Sequence, residues 1–253
     1  MDEETKVREQ KDTKQEFDDT EFYKGKDLLI DIETYLKSGV HIGTKFKTGE
    51  MRRYIFKKRK DGLQVFNIET IDKRIRLVAK MLSKFEGKDI AIIARRLYGH
   101  KPARKLAAMI GAREFVGRFI PGTFTNPQAR IFFEPKAIFI ADPLADSQAL
   151  KEAAEVGITV ITLAGSDSPM KNIDLLIPAN NKGRKSLALI YYLLAREILV
   201  ERKEITREAF TAAVGDFEQE IDEAAEEKAR KSMQSRGLRR PGGMMRGRRP
   251  RRE

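Results

Sequence analysis

The sequence predicts an α/β fold: a mainly parallel sheet with helices on both faces. Three observations predict it. Four short runs, "KDIAIIA", "KAIFIAD", "ITVITLA" and "IDLLIPA", are apolar almost throughout, as strands buried on both sides are. Helical stretches lie among them, two of them closed by Gly111 and Gly157. Ahead of these, Asp61-Gly62 separates two β-prone runs and marks a tight antiparallel hairpin.

In chain order, residues 1–22 are polar and acidic and are expected to form a disordered arm. Order is expected to begin at "DLLIDIETYLKSG", where Leu28, Leu29, Ile32, Tyr35 and Leu36 recur at helical spacing and Gly39 is the stop. The hairpin "YIFKKRKDGLQVFNI" follows. A helix over "IDKRIRLVAKMLSKF" then places Ile71, Ile75, Val78, Leu82 and Phe85 on one stripe. The first strand run leads to the helix "KPARKLAAMIG", and "REFVG" predicts a short strand. "KAIFIAD" leads to the helix "DSQALKEAAEVG", and two more strands precede a helix from Ser186 to about Val200 that is apolar nearly all round. The α/β core thus spans residues 23–200. An acidic helix is expected over 201–227 and a disordered Arg/Gly-rich tail over 228–253. No internal repeat is present.

The chain has 253 residues, no cysteine and a net charge of +12, so disulfides and thiolate metal sites are excluded. The apolar run "LALIYYLLA" is too short to cross a bilayer, and the start lacks the apolar core of a signal peptide. A soluble, cytoplasmic protein is expected. The charge is unevenly placed: −5 over residues 1–22, +14 over 23–200, −7 over 201–227 and +10 over 228–253. Two cationic regions separated by an anionic one fit a polyanionic partner reached in more than one place. A heat-adapted surface rich in Lys and Glu would explain the charges of the core, but not a tail of 11 basic residues and one acid.

In an open parallel sheet, ligands gather outside the C-terminal strand ends. Those ends read "ARRLYGHK", "ADPLAD", "AGSDSP" and "PANNKGRKS". Asp142, Asp146, Asp167 and Asp174 would suit magnesium, and the Asn-Asn-Lys loop a phosphate, so a phosphate- or nucleotide-handling α/β enzyme is one alternative. The motifs of such enzymes are missing, however: there is no G-x-G-x-x-G, no Walker loop and no G-x-S-x-G elbow. Two distant histidines make a poor metal site. His41, between two glycines, is read as a structural imidazole or an RNA contact, and His100 as a helix cap or phosphate contact. No catalytic residue, cofactor or metal is expected.

The cationic windows are more specific. Residues 43–60 hold eight basic side chains and one acid: Lys45, Lys47, Arg52, Arg53, Lys57, Lys58, Arg59 and Lys60 against Glu50. Lys101, Arg104 and Lys105 lie on adjacent turns of the next short helix, and Arg95 and Arg96 precede it. Lys182, Arg184 and Lys185 crowd the start of the last core helix. Such side chains neutralise phosphates and release counterions, which gives strong binding with little sequence preference. Tyr54 and Phe56 are read as core-facing, with base stacking the alternative. In the tail, Arg239, Arg240, Arg246, Arg248 and Arg249 offer planar forks for phosphates. A membrane or cell-surface adaptor is the second alternative, because the same arginines would also suit an anionic lipid surface.

Four segments occur in order: "YLKSGVHIGTKFKTGEMRRYIFKKRKDGLQVFNIETI", "GRFIPGTFTNP", "PKAIFIADPLADSQALKEAAEVGITVITL" and "IDLLIPANNKGRKSLALIYYLLAREIL". Together they closely resemble the second small-subunit ribosomal protein family, the S-two family. The resemblance implies a flavodoxin-like, three-layer αβα sandwich without enzymatic activity. It also implies a structural place on the head and platform side of the small subunit, near the mRNA exit region. The implied partners are small-subunit rRNA, neighbouring ribosomal proteins such as those of the S-five and S-eight families, and mRNA near its exit; no membrane is implied. Bacterial members carry a helical hairpin after "TN", whereas this chain passes from "TFTNPQARIFFEP" straight into the next strand. It therefore resembles the archaeal and eukaryotic branch. The motif "PANNKG" matches Asn180, Asn181, Lys182 and Gly183, with the asparagines bracing the turn and Lys182, Arg184 and Lys185 available to a partner.

Overall fold

A computed structural model describes residues 28–220; the acidic arm 1–22, the tail 228–253 with its five named arginines, and residues 221–227 lie outside the described residues. Five helices are present there: α1 (Ile32–Ser38), α2 (Ile68–Leu82), α3 (His100–Ile110), α4 (Ser147–Val156) and α5 (Arg184–Glu201). Strands β1 (Ile55–Lys58) and β2 (Gln64–Phe66) form the hairpin. Strands β3 (Ile90–Ala94), β4 (Arg113–Val116), β5 (Ala137–Ile140), β6 (Thr159–Ala164) and β7 (Leu175–Pro178) form one parallel sheet in the order β4-β3-β5-β6-β7. Counted from β3, that is the 2-1-3-4-5 order of flavodoxin-like folds.

Alternation along the strands divides the core in two. Ile90, Ile92 and Ala94 of β3, with Ala137 and Phe139 of β5 and Ile161 and Leu163 of β6, face a layer made by α2, α3 and α5. Ala91, Ile93, Ile138, Ile140 and Val160 face the opposite way, toward α4. Each such isoleucine or leucine contributes about 1.5–3 kcal/mol by leaving water. Helix α5 is apolar nearly all round because it packs on the sheet through Tyr191 and Phe139, is flanked by α2 and α3, and is covered by α1 and the 3-10 turn Val214–Phe217; residues from Ser186 to Leu199 are buried except Tyr192. Helix α2 shows the usual one-sided stripe, started by the Asn67 side chain, which accepts a hydrogen bond from the Glu69 amide at 3.0 Å.

Strands and helices do not alternate throughout. Residues 117–136 and 165–174 link strands without any helix. On the α4 side, an aromatic loop takes the place of a second helix. Phe119 and Phe124 pack as tilted rings with centroids 5.1 Å apart, and Phe115 lies 6.0 Å from each. Buried Glu152 of α4 holds that loop by accepting from the amides of Gly122 (2.8 Å) and Phe124 (3.1 Å).

The acidic helix expected over 201–227 is not formed in its described part. After Glu201 the chain makes turns and one 3-10 helix, Val214–Phe217. Aromatic anchoring outweighs helical propensity here: Phe210 and Phe217 pack on Tyr192 of α5, at 5.4 and 6.0 Å, and hold the segment against the core.

Candidate nucleic-acid interface

The hairpin is an attached layer rather than a free arm. Gly62, with φ of +89°, supplies the left-handed position that the tight turn requires. Residues 41–44 run along the other edge of β2, with Phe66 N donating to His41 O and Gly43 N to Gln64 O. From there the chain is clamped to the loop after β6. Thr44 N donates to Ser166 Oγ at 2.9 Å, Thr48 N to Ser166 O at 2.9 Å, and Met170 N to the Glu50 carboxylate at 2.9 Å. Gly43 is required by this approach, since a Cβ there would lie 3.0 Å from Ser166 Oγ and 3.1 Å from Gln64 O. The C-terminal ends of β6 and β7, where a doubly wound enzyme would hold a ligand, are thus occupied by the chain itself.

The hairpin layer presents its cations to solvent. Lys45, Lys47, Arg52, Lys58 and Lys60 are exposed and form no ion pair among the described residues. Lys45 and Lys58 converge over the turn, for a Cβ placed at Gly62 would lie 3.9 Å from Lys58 Cε and 4.0 Å from Lys45 Cγ. Arg53 lies over the Tyr54 ring at 4.9 Å, Lys57 is 5.9 Å from the Phe56 ring, and Arg59 meets Asp61 at 3.3 Å. Tyr54 is buried as expected, but Phe56 is 46% exposed. His41 is half-buried, with its carbonyl spent on β2.

The other predicted cations are largely engaged. Arg96 pairs with buried Asp142, and Arg95 donates to Ala145 O at 3.0 Å. The His100 ring lies 3.1 Å from Arg95 O, so it braces the loop before α3. Arg104 meets Glu114 at 3.6 Å, Lys105 meets Asp216 at 4.0 Å, and half-buried Lys101 donates its amide to Gln219 Oε1 at 3.1 Å. At the start of α5 the asparagines do brace the turn. Asn180 Oδ1 accepts from the amides of Lys182 and Gly183, its Nδ2 donates to Gly39 O, and Asn181 is buried. The expectation that three cations stand open beside them needs correction. Lys182 pairs with Asp167 and Arg184 with Glu218 at 2.7 Å, so only Lys185 stands exposed without an ion pair among the described residues.

At the sheet's switch point, between the ends of β3 and β5, there is a small cleft of about 250 Å³ lined by residues including Arg95, Arg118 and Asp146. Burial pushes the Asp146 carboxyl up to about 7; the neighbouring Asp142 charge adds to the shift and Arg95 opposes it. The aspartates do not converge: Asp142 and Asp167 neutralise cations, while the Asp174 carboxylate accepts from Val160 N at 2.8 Å. Among the described residues, no group of three or more His, Asp or Glu is placed to share a cation. None of their helices is long and apolar enough to cross a membrane.

Two groups escaped the sequence reading. Phe46, between two lysines, projects its ring into solvent, and its only signal was an aromatic residue with no apolar partner at strand spacing, since Thr44 and Thr48 stand two residues to either side. Arg118 joins the switch-point cleft from the loop after β4 and carried no signal at all.

A family model described as ribosomal protein S2 matches residues 128–200. A protein of Ignicoccus hospitalis, "Small ribosomal subunit protein uS2", is 47% identical over 199 residues, covering 77% of this chain and 94% of the relative. The chain belongs to the ribosomal protein S2 family. Two further members carry the same description. The one from Staphylothermus marinus is 54% identical over 176 residues, 70% of this chain and 80% of the relative. The one from Saccharolobus solfataricus is 47% identical over 196 residues, 77% and 85%. The likeness is thus to archaeal S2 proteins, and the described residues between β4 and β5 hold no helical hairpin.

Proposed function

We propose that this chain is a structural, non-catalytic constituent of the small ribosomal subunit in the cytoplasm, and that its hairpin layer grips rRNA. The observation that carries the reading is the set of exposed cations without ion pairs among the described residues, Lys45, Lys47, Arg52, Lys58 and Lys60, on a layer clamped to a rigid sheet. Fixed lysines of one sign hold a phosphate backbone by charge and shape, with little demand on base sequence. Membership of the S2 family supports the same reading. We place the protein on the head and platform side of the subunit, near the mRNA exit, with neighbouring ribosomal proteins as further contacts. In this reading the core of residues 23–200 is the rRNA-binding body. The acidic residues 1–22 suit a protein neighbour, and the 11 basic side chains of 228–253 add a second cationic reach that includes Arg239, Arg240, Arg246, Arg248 and Arg249. The carboxylates of Asp216 and Glu218 keep Lys105 and Arg184 from competing for RNA.

Sedimentation of cell extract at moderate salt tests this directly. The chain is expected to travel with the small-subunit peak. Its recovery only at the top of the gradient, with no affinity for purified small-subunit rRNA, would overturn the proposal.

A further inference from the structure

The stretch Lys45-Phe46-Lys47 does something that a solubilising surface does not need. The Phe46 ring is 79% exposed, more than any other large apolar side chain among the described residues. A lone exposed apolar residue is ordinary by itself. This one is held in place. Its carbonyl accepts from Thr44 Oγ1 at 2.9 Å and from Ser166 Oγ at 2.8 Å, and the next amide but one, Thr48 N, donates to Ser166 O. Ser166 is fully buried at the end of β6, so the backbone on both sides of the ring is tied to the sheet. The backbone that carries the ring is therefore already ordered, which spares a partner the entropy of fixing that part of the chain. Its two chain neighbours are exposed lysines, and Glu50 is the only acid in residues 43–60.

A flat π-face with a cation on either side matches one ligand chemistry best: an unpaired nucleobase with the phosphates that flank it. Base–aromatic stacking tolerates any base, and RNA offers such bases in loops, bulges and ends. We propose that Phe46 is a stacking platform for an unpaired RNA base, with Lys45 and Lys47 holding the adjoining phosphates. This rests on the RNA-binding reading above and names a site within it.

The chain contains no tryptophan, so Phe46→Trp installs a single reporter at the site. In the full-length protein, its emission is expected to change on titration with single-stranded oligoribonucleotide. It should stay constant with inorganic polyphosphate, although polyphosphate binds the same lysines. Phe46→Ala should weaken single-strand binding by between about fivefold and a hundredfold. Its salt slope and its polyphosphate affinity should match those of the unmodified chain, because no charge is lost. An unchanged emission at saturating single strand, or a Phe46→Ala protein that binds single strand normally, would overturn the platform while leaving RNA binding intact. If Phe46→Ala entered ribosomal particles poorly yet bound RNA normally, the ring would fit a protein pocket instead, and the proposal would fall. Failure of the unmodified chain to bind RNA at all would remove both this site and the reading it rests on.

Discussion

The hairpin layer and the strand-end region around α3 and α5 carry similar runs of basic residues, yet the structure uses them differently. On the hairpin, Lys45, Lys47, Arg52, Lys58 and Lys60 face solvent without carboxylate partners among the described residues. Around α3 and α5, Arg96, Arg104, Lys105, Lys182 and Arg184 each meet an acid supplied by another strand or loop. A phosphate can replace water around an open lysine at little cost. To reach a paired arginine it must first displace a carboxylate that is already in place. Under the proposed function, the density of basic residues locates candidates, and their pairing ranks how readily each would bind.

The largest effects are expected at the open region. Reversal of Lys45, Lys58 and Lys60 to glutamate should lower affinity for small-subunit rRNA by roughly a thousandfold at low salt, measured by filter binding. The melting temperature should stay within about 1 °C, since none of the three has an ion pair among the described residues. The paired region should show the opposite pattern. Arg96→Ala strands the buried Asp142 carboxylate and should cost about 2–3 kcal/mol in urea unfolding, below the range for fully buried pairs because Arg96 is partly exposed. Its effect on RNA affinity should be less than about threefold.

Asp146 sharpens the contrast through pH. Its folded carboxyl, raised to about 7, keeps its proton across a range where the unfolded chain, titrating near 4, has lost it. The native state therefore binds more protons, and this group's contribution to stability falls as pH rises from about 4 to about 7. Asp146→Asn should remove that slope and stabilise the protein at pH 8 by up to about 4 kcal/mol, at about 1.4 kcal/mol per pKa unit, read by denaturation at both pH values. The smallest effect belongs to the start of α5. Arg184→Ala breaks a partly exposed pair with Glu218 and should cost under about 1 kcal/mol, with rRNA affinity unchanged.

Much of the fold was legible because it depends on local pattern. The apolar runs of β3, β5, β6 and β7, the stripe of α2, and the glycine stops after α3 and α4 are each written within about 15 residues. The missing helices after β4 and β6 were less legible, because phenylalanines and a distant glutamate cover that face instead. At the site, the sequence marked the cations but not their partners. Asp142 is 46 residues from Arg96 and Glu218 is 34 from Arg184, and no periodicity links such pairs. Phe46 escaped for a related reason. Whether an aromatic points inward depends on Ser166, 120 residues away, which fixes the carbonyl behind it.

The central claim is that open hairpin cations, and not paired ones, hold RNA phosphates. The salt dependence of binding to small-subunit rRNA measures this most directly, using one variant with Lys45, Arg52, Lys58 and Lys60 changed to glutamine and a second with Arg104, Lys105 and Arg184 changed likewise. Each phosphate contact adds about 0.7–0.9 to the slope of log affinity against log salt, so the first variant should lose about 3 from the slope and the second close to nothing. Equal losses in both, or a loss confined to the second, would contradict the account.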